Sequence, residues 1–269
     1  MTVTAEAVWQ DIEQIRANAP LVHNITNYVV MNTTANALLA IGASPVMAHA
    51  VDEVDQMAAI AGALVINIGT LSGPWVEAMA AAMKAAGEKE IPVILDPVGV
   101  GATSYRTQTA NELLAVNAPA VVRGNASEII ALVVSGAQTK GVDATAAAES
   151  ALTAGKTLQE TTGGTVCISG ETDYIISSDE VVSIANGHAL MPRVTGLGCT
   201  ATALCGAFAA VNPSSKEATA HAMAAMGIAG EMAAEKANGP ATFQTAFIDS
   251  LYLMDAGDVA RCLKAGIVA

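Results

Sequence analysis

Apolar residues recur in two rhythms along this chain. Val8, Ile12 and Ile15 share one helical stripe, which predicts a first helix ending near Pro20. LVHNIT reads as a short strand. Residues 27–41 (NYVVMNTTANALLAI) read as a helix stopped by Gly42. PVMA follows as another short strand, and Asp52 is expected to cap a helix reaching Ala61. ALVINIG (63–69) and IPVILDPVGVG (91–101) differ from these. They are continuous apolar runs ending in polar residues and glycine, the pattern of strands buried on both faces. Between them, SGPWVEAMAAAMKAAG reads as a helix with Pro74 at its first position and Gly87 at its end. A helix near 107–116, a strand in APAVVRGN and a helix ASEIIALVV capped by Asn125 continue the alternation. An alanine-rich helix near 143–160 and a strand in GTVCISG complete it.

One segment breaks this order. DYIISSDEVVSIANG (173–187) reads as two strands around Ser178-Asp179, an antiparallel hairpin at the sheet edge. Beyond it almost only helices are expected, near 200–211, 215–237, 240–254 and 257–265. Alternating strands and helices predict an α/β fold with a mostly parallel central sheet, helices on both faces and an edge hairpin. No linker interrupts the pattern, so one domain over residues 1–269 is expected.

Composition narrows the chemistry. Hydrophobic residues make up 52% and aromatics only 3%, so the core must be built from aliphatic side chains and methionine. The net charge of −13 argues against a nucleic-acid groove, which needs clustered bases. A mononucleotide remains compatible, because backbone amides and one or two cations suffice for it. Cysteines 167, 199, 205 and 262 form no C-x-x-C pair and lack histidines at zinc-ligand spacing, as in a reduced cytoplasmic protein. MTVTAEAVWQDIEQI has no basic-then-apolar leader pattern, and no run of about 18 apolar residues predicts a membrane span.

In open parallel sheets, ligands bind beyond the carboxyl ends of the strands. Those ends carry Asn67 and Gly69, Asp96 and Gly99, Arg123 and Asn125, Ser169 and Gly170. Ordinary turn chemistry also places such residues there. A second signal is RVTGLGCTATALCGAFAAV (193–211), in which glycines open an apolar helix. A helix start presents unpaired N–H groups and the positive end of the helix dipole. Gly196, Gly198 and Cys199 are therefore expected to line an anion cradle, unless they simply form a glycine-bearing helix start. Neither a P-loop nor a dinucleotide fingerprint is present. Cys199 reads as a buried structural thiol, as a thiolate favoured by the helix start, or as a group touching an acceptor hydroxyl.

PLVHNITNYVVMNTTANALLAIGASPVMA (20–48), VILDPVGVGAT (93–103), VVRGNASEI (121–129), CISGETD (167–173) and VTGLGCTATA (194–203) resemble, in order, the motifs of the hydroxyethylthiazole kinases. The resemblance implies a ribokinase-like three-layer fold and ATP-dependent phosphorylation of 4-methyl-5-(2-hydroxyethyl)thiazole, a step of thiamine biosynthesis. It implies Mg²⁺ as cofactor, and a homotrimer with its thiazole site at the subunit contact. No nucleic acid or membrane is expected as a partner.

Carried over by motif, Met47 and Gly196 fall on thiazole-binding positions, with Asn27 and Gly69 expected to line the same pocket. Arg123 and Ser169 fall on nucleotide positions, and Asn125 neighbours them. Ser169 stands where many relatives carry threonine, which keeps the hydroxyl. Leu197 stands where many relatives carry threonine, so a hydroxyl contact is lost there. Asp96 and Glu128 are the expected acids near Mg²⁺. Asp96 reads equally as a turn cap before Pro97, and Glu128 as the N3 partner of Asn125 in a capping box. Cys199 stands where many related kinases carry an aspartate base, and is expected to position the substrate hydroxyl or assist its deprotonation. That cysteine separates this chain from relatives acting on a hydroxymethylpyrimidine or a sugar. A noncatalytic nucleotide sensor and a cysteine-dependent hydrolase are the other readings. His23 and His49 flank the pocket region, where a lone histidine is more often structural than part of a site, and Cys167, Cys205 and Cys262 read as core.

Overall fold

The computed structural model describes residues 3–134 and 144–268. Six apolar runs become parallel strands: β1 (Leu21–Ile25), β2 (Ser44–Val46), β3 (Ala63–Asn67), β4 (Val93–Asp96), β5 (Val121–Asn125) and β6 (Thr165–Ser169). Three antiparallel strands extend this sheet: β7 (Asp173–Ile176), β8 (Val181–Ile184) and β9 (Ala265–Val268). The order is β2-β1-β3-β4-β5-β6-β7-β8-β9. Successive side chains of a strand point to opposite faces, so each strand feeds two cores. In β3, Ala63 and Val65 enter one core while Leu64 and Ile66 enter the other.

The first core lies under α1 (Ala5–Asn18), α2 (Met31–Ile41), α8 (Leu197–Ala209), α9 (Ser215–Lys236) and α10 (Pro240–Leu253). The second lies under α3 (Val54–Ile60), α4 (Gly73–Glu88), α5 (Ser104–Val116), α6 (Ala126–Val133) and α7 (Ala144–Thr162). A short helix, α11 (Ala256–Cys262), precedes β9. The result is a three-layer α/β sandwich, as the alternation of elements predicts. No helix among the described residues is long and apolar enough to cross a membrane.

The scarcity of aromatic residues has a structural consequence in α8. Small residues let this helix sit very close to the sheet. A Cβ at Gly206 would lie 2.6 Å from Val65 Cγ2 and 3.1 Å from Val22 Cγ1. The helix packs on β1, β3 and β4, and α9 packs on it from outside. Its residues from Thr200 to Phe208 are all buried.

Several boundaries differ from expectation for identifiable reasons. The helix expected over 27–41 begins only at Met31, because residues 27–30 form a turn closed by the Val30 N–H on the Asn27 carbonyl. Asp52 is not a cap: Glu53 holds that position, without a side-chain bond. Gly87 does not end its helix, which runs on to Glu88. Instead, Gly87 sits against the Asn117 carboxamide, where a side chain would crowd it. The helix expected near 107–116 starts earlier, at Ser104, because Thr103 Oγ1 accepts from Arg106 N. Residue 143, the expected start of the alanine-rich helix, lies outside the described residues. The hairpin is present but does not form the sheet edge. The helix expected over 257–265 stops at Cys262, and AGIV then pairs with the free side of β8. Four small and aliphatic residues carry too little periodicity to announce a strand.

The close seat of α8 gives a stability test. Gly206→Ala is expected to destabilise the protein by about 1–3 kcal/mol through overpacking. Urea unfolding reads the change, and an unaltered midpoint would mean the helix can lift without cost.

Candidate active site

The glycines at the start of α8 each have a separate cause. Gly196 is the N-cap residue and holds φ 87°, a left-handed backbone that suits glycine. A Cβ there would also meet Val30 Cγ1 at 2.5 Å. Gly198 leaves room for a guanidinium: its Cβ would lie 3.2 Å from Arg123 Nη1. In an α-helix the first N–H groups have no carbonyl to bond, and here the first bond of the turn runs from Thr200 N to Gly196 O. The amides of Leu197, Gly198 and Cys199 are thus left at the mouth, with Gly198 exposed and Cys199 half-buried.

Arg123 comes from β5 and passes beneath that mouth. Its Nε is buried and has no hydrogen-bond partner among the described residues. Burial alone would lower its pKa, but the charges of Asp96 and Asp173 outweigh this and hold it above the ordinary arginine value. Asp96 ends β4 and is 1% exposed. Burial raises its pKa to about 6, against the pull of Arg123 and the hydrogen bonds from Thr202 and Asn67. Asp173, at the start of β7, is raised to about 6 by burial in the same way, although Gly170 N–H and Arg123 oppose the shift.

A chain of side-chain hydrogen bonds joins these groups to Cys199. Asn27 Nδ2 donates to Cys199 Sγ at 3.4 Å and to Asn67 Oδ1 at 2.8 Å. Asn67 Nδ2 donates to Asp96 Oδ2 at 2.7 Å, and Thr202 Oγ1 donates to the same oxygen at 2.8 Å. Asp96 Oδ1 is buried and has no hydrogen-bond partner among the described residues. Burial and the Asp96 charge push the Cys199 thiol above its ordinary pKa, although the Asn67 and Asn27 amides and Arg123 pull it down. The sulfur is therefore a neutral thiol near pH 7, not a thiolate. No histidine among the described residues hydrogen-bonds it, so the site lacks the activated pair that a cysteine hydrolase requires.

The chain matches the hydroxyethylthiazole kinase family model over residues 12–256. It is 59% identical over 265 residues to the hydroxyethylthiazole kinase of Syntrophus aciditrophicus, covering 98% of both chains. It is 55% identical over 256 residues to that of Leptospira biflexa, covering 95% of this chain and 96% of the other. The chain belongs to the hydroxyethylthiazole kinase family. The structure of the hydroxyethylthiazole kinase from Pyrococcus horikoshii OT3 superposes with a TM-score of 0.90 at 40% identity, covering 98% of this chain and 100% of the other. A pyridoxal kinase from Staphylococcus aureus, solved with AMP-PCP and pyridoxal, shares the ribokinase-like fold at a TM-score of 0.60 and 16% identity, over 79% of this chain and 88% of the other.

Within this family fold, the residues singled out from sequence fall along the carboxyl edge of the parallel strands. Asn27, Gly69, Asp96, Arg123, Gly196, Gly198 and Cys199 converge around the α8 mouth. Gly69 is held tightly there, since a Cβ would come within 2.6 Å of Asn27 Nδ2. Asn125 and Glu128 form a complete capping box at the start of α6. The Glu128 carboxylate accepts from Asn125 N with one oxygen and from Gly99 N with the other, each at 2.8 Å. It ties the loop after β4 to the start of α6, so its structural role is filled whatever else it does. Ser169 Oγ donates to Gly124 O at 3.3 Å across the β5–β6 pair. Met47 stands apart, half-buried just beyond the end of the edge strand β2. His23 Nε2 and His49 Nδ1 lie within hydrogen-bond distance of the carbonyls of Ala48 and Met47. Cys167 and Cys205 are buried, with the Cys205 thiol pushed up to about 12 by burial.

Three polar residues carry more of the site than their sequence context shows: Asn67, Thr202 and Asp173. Asn67 is legible only as the polar end of ALVIN, and Thr202 is one hydroxyl in an apolar helix. Arg123, expected on the nucleotide side, is half-buried with its Nε buried beneath the helix mouth.

The raised Asp173 pKa fixes the sign of a pH effect. Its folded-state value near 6 exceeds the ordinary 3.8, so the native state binds this proton more tightly than the unfolded chain. Wild-type stability from this group therefore falls as pH rises from about 4 through 6. Asp173→Asn is expected to gain stability relative to wild type over that window, measured by urea unfolding at several pH values. A difference that does not change with pH would contradict the burial-driven shift.

Proposed function

We propose that this protein transfers the terminal phosphoryl group of ATP to the primary alcohol of 4-methyl-5-(2-hydroxyethyl)thiazole, forming the thiazole phosphate of thiamine biosynthesis and salvage. The observation that carries this is the pairing of three amides at the α8 mouth, unpaired among the described residues, with the half-buried Arg123 guanidinium beside them. Phosphoryl transfer asks for alignment and charge stabilisation of exactly oriented oxygens more than for a strong base. The amides of Leu197, Gly198 and Cys199 hold the migrating group, and Arg123 balances its charge. Arg123, Asn125 and Ser169 serve the nucleotide side. Gly196, Asn27, Gly69 and Met47 serve the alcohol.

The residues present fit Mg²⁺. Asp96 offers a buried carboxylate oxygen without a partner, a hard donor of the kind this ion takes together with phosphate oxygens and water. Asp96 would hold the ion directly or through water, and Glu128 would face it from its capping position. When bound, the ion supplies charge neutralisation on the phosphate oxygens. Cys199, as a neutral thiol whose sulfur accepts from Asn27, positions the alcohol rather than removing its proton unaided.

We read the chain as one cytoplasmic kinase domain that assembles as a homotrimer. Supporting the assembly, Tyr28 and Val29 beside Asn27 are 63% and 64% exposed, and Leu39 and Ile60 are 59% and 69% exposed. Such apolar exposure fits coverage by another copy of the chain. A partner at this end would complete the alcohol pocket around Met47.

The direct test is ADP release in the presence of the thiazole alcohol, with and without Mg²⁺. ADP is expected only when alcohol and metal are both present. A protein that binds ATP yet releases no ADP with any alcohol is not a kinase. Cys199→Ala is expected to lower kcat by about tenfold, short of the ~10²–10⁴-fold that loss of a full general base causes. An unchanged kcat would remove Cys199 from the reaction.

A further inference from the structure

Asn67 lies at the last position of β3, in register with Asp96 at the last position of β4. Its side chain is 1% exposed, and both ends of its carboxamide are in use. Nδ2 donates to Asp96 Oδ2 at 2.7 Å. Oδ1 accepts from Asn27 Nδ2 at 2.8 Å and from Gly69 N at 2.9 Å.

The polarity of this network has one solution. The Asp96 oxygen also receives the Thr202 hydroxyl and serves as acceptor, so the Asn67 nitrogen must face it and the Asn67 oxygen must face Asn27. Asn27 is fixed in turn, because its own Oδ1 accepts from Val29 N at 3.2 Å. Its nitrogen is then the only part left to reach Asn67 and Cys199. An amide offers both a donor and an acceptor at this spacing. A carboxylate lacks the donor, and an aliphatic side chain lacks both.

We infer that Asn67 is a positioning residue that sets the two halves of the site as one unit, placing Asn27 and Gly69 on the alcohol side and the Asp96 carboxylate on the phosphate side. This inference rests on the kinase reading above for the meaning of the two sides. Asn67 acts through Asn27, Asp96 and the Cys199 thiol it lies against, and is not itself a catalytic residue.

A double-mutant cycle on the intact protein tests it. Binding of the thiazole alcohol is measured by calorimetry without nucleotide for Asn67→Leu, Asn27→Ala and the double variant. Each single change is expected to weaken binding by about tenfold, the scale of a lost buried hydrogen bond. The double variant is expected to bind within about twofold of the weaker single, because Asn67 reaches the alcohol through Asn27. Losses that multiply in the double variant, or wild-type binding by Asn67→Leu, would overturn the inference.

Should Asn67→Leu fail to fold, Asn67→Asp gives an independent reading. It keeps the acceptor for Asn27 and Gly69 but replaces the amide donor to Asp96 with a second carboxyl group that competes with Asp96 for charge. Alcohol affinity is expected to stay within about threefold of wild type while kcat falls by about tenfold or more. Affinity and kcat falling together in step with Tm would show a merely structural role. The kinase reading fails separately: a wild-type protein that binds the alcohol but releases no ADP defeats that assignment, while the binding cycle still reports the Asn27–Asn67 link.

Discussion

The close seat of α8 on β1, β3 and β4 governs the geometry of everything above it. A helix resting on bulky side chains would stand farther out and could shift or rotate. Here Gly206 lies against Val65 and Val22 with no room for a methyl group. Interiors packed at this density resist displacement, so the position of the helix start is set by the position of its middle. The Leu197–Cys199 amides therefore arrive at the strand ends, where Asn67, Asp96 and Arg123 already point. The aliphatic, aromatic-poor composition is the chemical counterpart of that closeness, because alanine and glycine allow backbones to approach where rings would hold them apart.

Electrostatics add a second constraint on the same spot. A half-buried guanidinium and two buried carboxylates are each costly alone, and their opposite charges offset part of that cost. Burial still wins at Asp96 and Asp173, whose pKa values both rise to about 6. The Arg123 pKa is raised as well, because the charges of the acids outweigh its own burial. In a chain of net charge −13, Arg123 and the helix start bring positive charge to a cluster of acids at the helix mouth.

Much of this was legible residue by residue. ALVIN and VILD announce two-sided burial because nothing in them alternates, and both become parallel strands. Gly196 and Gly198 announce a close approach at a helix start, and Val30 and Arg123 supply the reasons. Glu128 carries the spacing of a capping partner, and the capping box is present. What spacing did not show was that its second oxygen reaches Gly99 on another loop. The helix expected from residue 27 failed because helical periodicity says nothing about a side chain already committed elsewhere, as Asn27 is. β9 escaped because a four-residue strand is stabilised by the neighbour that receives it, not by its own pattern.

Local pattern, glycine placement and the ordered motifs thus settled the α/β class and the family. Tertiary structure alone decided which polar atoms meet. Asn27 and Cys199 are 172 positions apart, and Asn67 and Asp96 are 29 apart. Their contact depends on strand order and on how deeply α8 sits, and those depend on packing summed over the whole chain. Periodicity is a short-range signal. The direction of an amide and the burial of a guanidinium are set by neighbours that no window along the chain contains.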